Sequence, residues 1–561
     1  MNEWKGELYG MKKLEEMTLR EKIGQMLLCG FEGTASTERV KELIQEHHVG
    51  GVIYFARNVE NIEQVAALSN EVQQLAAASD TWPLWVSIDQ EGGMVARITE
   101  GVALMPGQMA LAAGAMGEQE GDQALNHEAA YASAYISGRE LRALGINLNF
   151  APVLDVNNNS KNPVIGVRSF GESAELVADF GVRAVQGYQD ANVVATAKHF
   201  PGHGDTSVDS HLDLPTIAHD QARIRSLELV PFVKAIGHGV DAIMSSHIYF
   251  PAFEPEKRPA TLSKAVLTGL LREELGFDGV IMTDCMEMNA IAVHYGTVAA
   301  SVMAIEAGAD LVLISHRMDL QLGAIDAIEQ AVQDGRISEA RIDASVARLL
   351  ALKTRRGLVG AQPASAASEA LATEAHRAVA QRLSEASVTL VKDEQGLLPL
   401  RRVRTLAITV AAAVSSGVDE AYAASSLGAA LADRGLEVVD RVLPLAAVAD
   451  EHAAVLAEAA AADVAQIVIG TYNARFHAPQ GELLRALQAL GKPLIVVALR
   501  VPYDLLELPA DASTFVAAYE SRPLALQSTA RCLLGELPMK GRLPVSLSDA
   551  FPAGWRWEGN A

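Results

Sequence analysis

Val193-Val194-Ala195-Thr196-Ala197-Lys198-His199 is apolar for most of its length and ends on a cation and an imidazole. Its apolarity is continuous rather than alternating. That pattern reads as a strand buried on both faces, as in parallel sheets covered by helices. Similar runs recur on either side of it, with helical patterns between them: Met26–Phe31, Val49–Phe55, Leu84–Asp89, Asn147–Val153, Ala242–His247, Val280–Asp284 and Leu311–Ile314. A series of eight βα units predicts an α/β fold that closes into a (β/α)8, TIM-like barrel. Asp89, Lys198 with His199, His247, Asp284 and Ser315 all fall at the C-terminal end of a run, the rim where barrel enzymes place their sites. Polar residues also cap strands, but capping alone does not explain five such ends on one rim.

The chain continues well past the last of these runs. With 561 residues, half of them apolar, it is too long for one core and predicts two domains. Arg355 to Ala375 is rich in Ala, Ser, Gly and Pro and reads as a linker whose tail is already helical. The expected division is a barrel domain over 1–355, a linker over 356–375 and a second domain over 376–561. In that last part Val388–Val391, Thr405–Val410, Gln466–Gly470, Leu494–Leu499 and Thr514–Ala518 read as further buried strands. They imply an α/β sandwich around an open, mostly parallel sheet.

A net charge of -23 and a pI near 5.1 exclude a nucleic-acid backbone as partner, because phosphate binding needs clustered Lys and Arg. Cys29, Cys285 and Cys532 are far apart and odd in number, which supports neither a disulfide framework nor a CxxC zinc site. Met1 to Glu21 lacks the apolar core of a signal peptide, and no stretch is long enough to span a membrane. Cytoplasmic residence is the expectation.

The strand ending at His199 runs into Phe200-Pro201-Gly202-His203-Gly204-Asp205-Thr206-Ser207-Val208-Asp209-Ser210-His211. Pro201, Gly202 and Gly204 rule out a continuous helix, so the histidines can converge only through loop geometry. Asp209 sits two residues from His211, close enough to orient its imidazole for general acid/base work. His199 and His203 could instead join His211 and Asp209 around a metal, although no cysteine assists, and His203 between two glycines also reads as loop packing. Asp284 closes the apolar run Ile281-Met282-Thr283, where a carboxylate is costly unless paired or used. It reads as a nucleophile or as a cap of the following helix, and Cys285 beside it as a small buried filler.

Lys198-His199-Phe200-Pro201-Gly202-His203-Gly204-Asp205-Thr206 with Asp209-Ser210-His211 resembles the signature of glycoside hydrolase family 3, in its β-N-acetylglucosaminidase branch. Ile88-Asp89-Gln90-Glu91-Gly92-Gly93 with Arg97, Asn162-Pro163 with Arg168-Ser169-Phe170-Gly171, and Thr283-Asp284 agree in order and spacing. The resemblance implies Asp284 as nucleophile, His211 as acid/base oriented by Asp209, and Asp89, Arg97, Arg168, Lys198 and His199 as the grip on the sugar ring. Pairing with neighbouring carboxylates is the blander role of the two arginines. The implied activity is retaining removal of terminal β-linked N-acetylglucosamine from cell-wall muropeptides, with neither a metal nor an organic cofactor. The partner is then a small carbohydrate, not a nucleic acid or a membrane.

Retaining glycosidases ordinarily use two carboxylates. Here a His-Asp pair stands in for one, and a neutral imidazole repels an anionic aglycone or phosphate less than a carboxylate does. A phosphorylase, in which phosphate attacks the glycosyl-enzyme, is therefore an alternative. So are a β-glucosidase or β-xylosidase, against which the Asp209-Ser210-His211 element speaks, and a non-catalytic sensor of wall fragments. Family relatives that take a glutamate from the second domain suggest Glu482 or Glu520 for that role. With Asp209-Ser210-His211 present, both read as surface charges or caps.

Overall fold

The computed structural model describes residues 12–118, 125–367, 369–411, 425–509 and 512–559. Strands β1 (Leu27–Gly30), β2 (Gly51–Tyr54) and β3 (Trp85–Ile88) are followed by a short antiparallel hairpin, β4 (Gln90–Gly92) and β5 (Val95–Ala96). Then come β6 (Leu148–Asn149), β7 (Val194–Phe200), β8 (Ala242–Ser245), β9 (Val280–Cys285) and β10 (Leu311–Ile314). Apart from the hairpin, these strands form a closed parallel barrel in the order β1-β2-β3-β6-β7-β8-β9-β10, with β10 returning to β1 through the pair Leu27 and Val312.

Every residue of β7 is buried, as continuous apolarity predicts for a strand covered by helices outside and side chains inside. Each of the eight apolar runs contains a strand. The shortest lies within Asn147–Val153, because Pro152 has no N–H to give to a ladder. The outer helices are amphipathic and capped. In Ala174–Asp190, for example, Ser173 Oγ accepts the Leu176 N–H at 3.3 Å while Val177, Phe180 and Val185 face inward.

The second sheet contains β11 (Thr389–Asp393), β12 (Thr405–Ala411), β13 (Val438–Pro444), β14 (Gln466–Thr471), β15 (Leu494–Ala498) and β16 (Thr514–Ala517). Their order is β11-β16-β15-β14-β12-β13, parallel except for β11 against β16. Five strands match the expected runs. β13 does not, because this edge strand carries Asp440 and Arg441 and is largely solvent-facing, so it lacks the signature of a doubly buried strand.

The last barrel helix ends at Arg355, and the next begins at Glu374 with Thr373 as its cap. The segment between is tied to the barrel. Asn70 exchanges hydrogen bonds with Ala364 at 2.9 and 2.7 Å, and Glu140 Oε1 accepts from the Ala372 N–H at 2.9 Å and from His376 Nδ1 at 2.7 Å. Met94, Met109 and Val167 from the barrel half share one apolar cluster with Tyr472, Tyr503 and Tyr519 from the sheet half. The two halves are thereby joined through buried contact. Among the described residues no helix is long and apolar enough to cross a membrane.

Candidate active site

A pocket of about 220 Å³ opens at the C-terminal rim of the barrel. Asp89, Arg97, Arg168, Lys198, His199, His211 and Asp284 all line it, together with Phe55, His203, Cys285, Glu287, Ser315 and His316. All of its lining residues fall between Ile53 and His316, so the described residues of the sheet half contribute no wall. Of the expected site residues only Asp209 stands behind the lining, where it contacts His211.

One wall is an ion network. Lys198 Nζ lies 2.9 Å from Asp89 Oδ1 and 2.7 Å from Glu91 Oε1. Arg97 Nη2 approaches Asp89 Oδ2 at 3.3 Å, and Arg168 grips Glu91 with Nε and Nη2 at 2.9 and 2.8 Å. Both arginines therefore pair with carboxylates and line the pocket. Burial opposes the charge on Asp89, but Lys198 and Arg97 overcome it and hold its carboxyl well below the usual range. For Glu91 the same contest, won by Arg168 and Lys198, ends at about 2. The carboxylates in turn keep buried Lys198 protonated against the pull of desolvation. The network presents fixed, charged hydrogen-bonding groups at no further cost of ordering.

The loop after β7 is built around Asp155, which is fully buried. Its Oδ1 accepts the N–H groups of His199 at 3.1 Å and His203 at 2.6 Å, and its Oδ2 meets His199 Nδ1 at 2.7 Å. His203 packs inside the loop with Nδ1 2.9 Å from Thr206 Oγ1 and Nε2 3.1 Å from Ser210 Oγ. Burial pushes its imidazole down to about 4, so it is neutral at physiological pH. Gly204 is obligatory, since a Cβ there would fall 1.7 Å from the carbonyl oxygen of Val156. Gly204→Ala is expected to unseat the loop and lower kcat/KM by about 100-fold. Steady-state kinetics alongside circular dichroism checks this, with the barrel signal retained.

At the loop's far end, Asp209 Oδ1 accepts the His211 N–H at 2.8 Å and lies 2.7 Å from His211 Nδ1. This local turn commits Nδ1 to the carboxylate and leaves Nε2 for partners other than Asp209. Burial resists ionisation of Asp209, but the bond to His211 prevails and its carboxyl lies low. The Ala290 N–H donates to the Ser210 carbonyl at 3.3 Å, which ties the His211 loop to the segment following Asp284.

Asp284 occupies the penultimate position of β9, and its Oδ1 accepts the Cys285 N–H at 2.7 Å. Burial opposes its charge, but His247, His199 and His211 together bring its carboxyl below the usual value, so it is ionised at neutral pH. His247 is a satisfied core histidine. Its Nε2 donates to the Cys285 carbonyl at 2.9 Å, and its Nδ1 lies 2.9 Å from Thr261 Oγ1. Cys285 is not buried filler as expected, since it borders the pocket, although burial pushes its thiol up to about 12.

Glu91 lies in the stretch Ile88 to Gly93 quoted above but receives no role from the sequence, and Asp155 carries no distinguishing signal, yet they anchor the pocket's cations and its loop. Glu482 is exposed, as expected of a surface charge. Glu520 is not. It is buried between the halves, its Oε1 accepting the Gly107 N–H, in a small cavity shared with Glu91 and Arg168. Gly93 and Gly107 allow this approach, because a Cβ on Gly93 would lie 2.9 Å from the carboxylate.

Burial pushes Glu520 up to about 7, against the Gly107 N–H and Arg522. The folded chain therefore holds a proton that the unfolded chain has already released between about pH 4.5 and 7, and stability falls as pH rises through that window. Glu520→Gln keeps the acceptor and removes the ionisation. Its thermal midpoint is expected to exceed the wild type's at pH 8 and to match it near pH 5, as scanned by circular dichroism.

Comparison with known proteins agrees with this fold. The model of the glycosyl hydrolase family 3 N-terminal domain matches residues 18–352. The chain is 33% identical to beta-hexosaminidase A of Pseudoalteromonas piscicida over 93% of each chain. It is 31% identical to a beta-N-acetylglucosaminidase/beta-glucosidase of Cellulomonas fimi, covering 97% of this chain and 95% of that one. A solved family 3 beta-N-acetylglucosaminidase from Paenibacillus sp. str. FPU-7 superposes with a TM-score of 0.89 at 48% identity, covering 95% of this chain and 99% of the other. A barrel whose rim gathers these carboxylates, cations and imidazoles, matched along nearly its whole length by such relatives, belongs to glycosyl hydrolase family 3 and is a glycoside hydrolase.

Proposed function

We propose that the chain removes terminal β-linked N-acetylglucosamine from cell-wall muropeptides with retention of configuration, acting in the cytoplasm. The names of its relatives favour the sugar, because the Pseudoalteromonas protein is a hexosaminidase and the Paenibacillus structure a β-N-acetylglucosaminidase. The observation that carries the mechanism is that Asp284 and the Asp209-fixed imidazole of His211 line one pocket, walled among the described residues by the barrel half alone.

In this reading the ionised Asp284 attacks the anomeric carbon while His211 Nε2–H protonates the departing oxygen. The covalent glycosyl-Asp284 then yields to water, deprotonated by the now neutral His211. Asp89, Arg97, Arg168, Lys198 and His199 hold the sugar's hydroxyls and acetamide by charge-assisted hydrogen bonds. Residues 1–355 form the catalytic domain, joined through 356–375 to a supporting domain over 376–561. Glu520 is a poor candidate for the acid, since it shares a separate small cavity with the Arg168–Glu91 pair and lies outside the pocket lining.

Product analysis on purified muropeptides at neutral pH, with phosphate varied, tests the reading. Free N-acetylglucosamine at every phosphate level is expected. Sugar 1-phosphate growing with phosphate would identify a phosphorylase instead, and absence of any released sugar would refute both.

A further inference from the structure

Cys285 Sγ, a Glu287 carboxylate oxygen and a His316 ring nitrogen lie within 4.8 Å of one another on the pocket wall. We propose that this triad is an inhibitory site for a borderline-soft divalent cation such as Zn²⁺, seated beside Asp284. One thiolate, one carboxylate and one imidazole are the donor types zinc prefers, and a water molecule completes a tetrahedron.

Neighbouring strands place the donors. Cys285 ends β9, where it pairs with Leu313 of β10, Glu287 lies in the turn that follows, and His316 stands two residues beyond the end of β10. Two of the three are pre-set. Glu287 accepts the His316 N–H at 2.6 Å and the Arg317 N–H at 3.1 Å, which bridges the two loops and leaves each oxygen a lone pair for a metal. The His316 ring rests against Phe55 at 5.3 Å, which limits its rotation. Orienting contacts of this kind are what metal ligands ordinarily require.

The other group of suitable donors among the described residues is Glu42, Glu46 and His47, which offers no thiol and only oxygen and imidazole ligands at a helix end. On coordination the Cys285 thiol gives its proton to solvent, and thiolate and carboxylate together neutralise the cation. Because Cys285 directly follows Asp284 and both line the pocket, the bound cation would draw on the Asp284 carboxylate and occupy room the sugar needs. The inhibitory half of the proposal rests on the nucleophilic role given to Asp284. The binding half does not.

The experiment titrates Co²⁺ into the full chain and follows the thiolate-to-cobalt charge-transfer absorption. It then measures Zn²⁺ inhibition, and its reversal by a chelator, for wild type, Cys285→Ser and His316→Ala, each relative to its own metal-free rate. The expected result is a thiolate band saturating at one equivalent and lost in Cys285→Ser, with the Zn²⁺ inhibition constant raised at least about tenfold in both variants. A wild type without the band, or inhibition unchanged in both variants, would overturn the site. A band without inhibition would overturn its inhibitory role, and a band in a chain that hydrolyses no glycoside would leave the site standing while removing the catalytic reading.

Discussion

Replacing Asp284 with alanine is expected to lower kcat/KM on a chromogenic β-N-acetylglucosaminide by roughly 10⁴- to 10⁶-fold, the scale at which removing a covalent nucleophile acts. That corresponds to about 5 to 8 kcal/mol of barrier. Asp89, Glu91 and His247 cannot replace it. Asp89 and Glu91 are each committed to buried cations, and His247 is occupied on both ring nitrogens. Asp284→Asn separates charge from shape, because its amide oxygen can still accept the Cys285 N–H that Asp284 accepts at 2.7 Å. It should be as inactive as the alanine variant and unfold at or slightly below the wild-type temperature, since the charge that His247, His199 and His211 favour is gone while the shape is kept. Near-native turnover by either variant would remove Asp284 from the chemistry.

His211→Ala is expected to cost about 10²- to 10⁴-fold, equivalent to about 3 to 5 kcal/mol. The loss should depend on the leaving group. An acidic phenol departs with little help from a proton, so with such a substrate the first step is spared and the penalty falls on the water-dependent second step. An alkyl or sugar leaving group exposes the full loss. The alkaline limb of the pH–rate profile, which reports departure of the donor's proton, should flatten in His211→Ala. Asp209→Asn should fall between the variant and wild type, because the imidazole stays but loses the carboxylate 2.7 Å from Nδ1. A profile unchanged by His211→Ala would assign the proton to another group.

The barrel was legible because its strands are buried on both faces, and doubly buried strands announce themselves as unbroken apolar runs such as Leu311 to Ile314. The lining of the candidate pocket was legible where a polar residue interrupted such a run at its end, as Lys198 and Asp284 do. What escaped had no such contrast. The hairpin Gln90–Gly92 with Val95–Ala96 is too short for periodicity to register, yet it supplies Glu91. β13 is an edge strand with a charged pair in its middle. Asp155 lies in an ordinary loop, and only three-dimensional contact makes it the anchor of His199 and His203. Glu520 reads as a surface charge because its burial depends on glycines more than 400 positions away in sequence, as the 413-residue separation of its bond to Gly107 records.

The proposed covalent step can be read directly. A fluorinated N-acetylglucosaminyl fluoride whose second step is slow should accumulate as a glycosyl-enzyme, and peptide mass spectrometry should place the added sugar on the peptide bearing Asp284. Label on any other residue, or no label together with a product of inverted configuration, would contradict attack by this carboxylate.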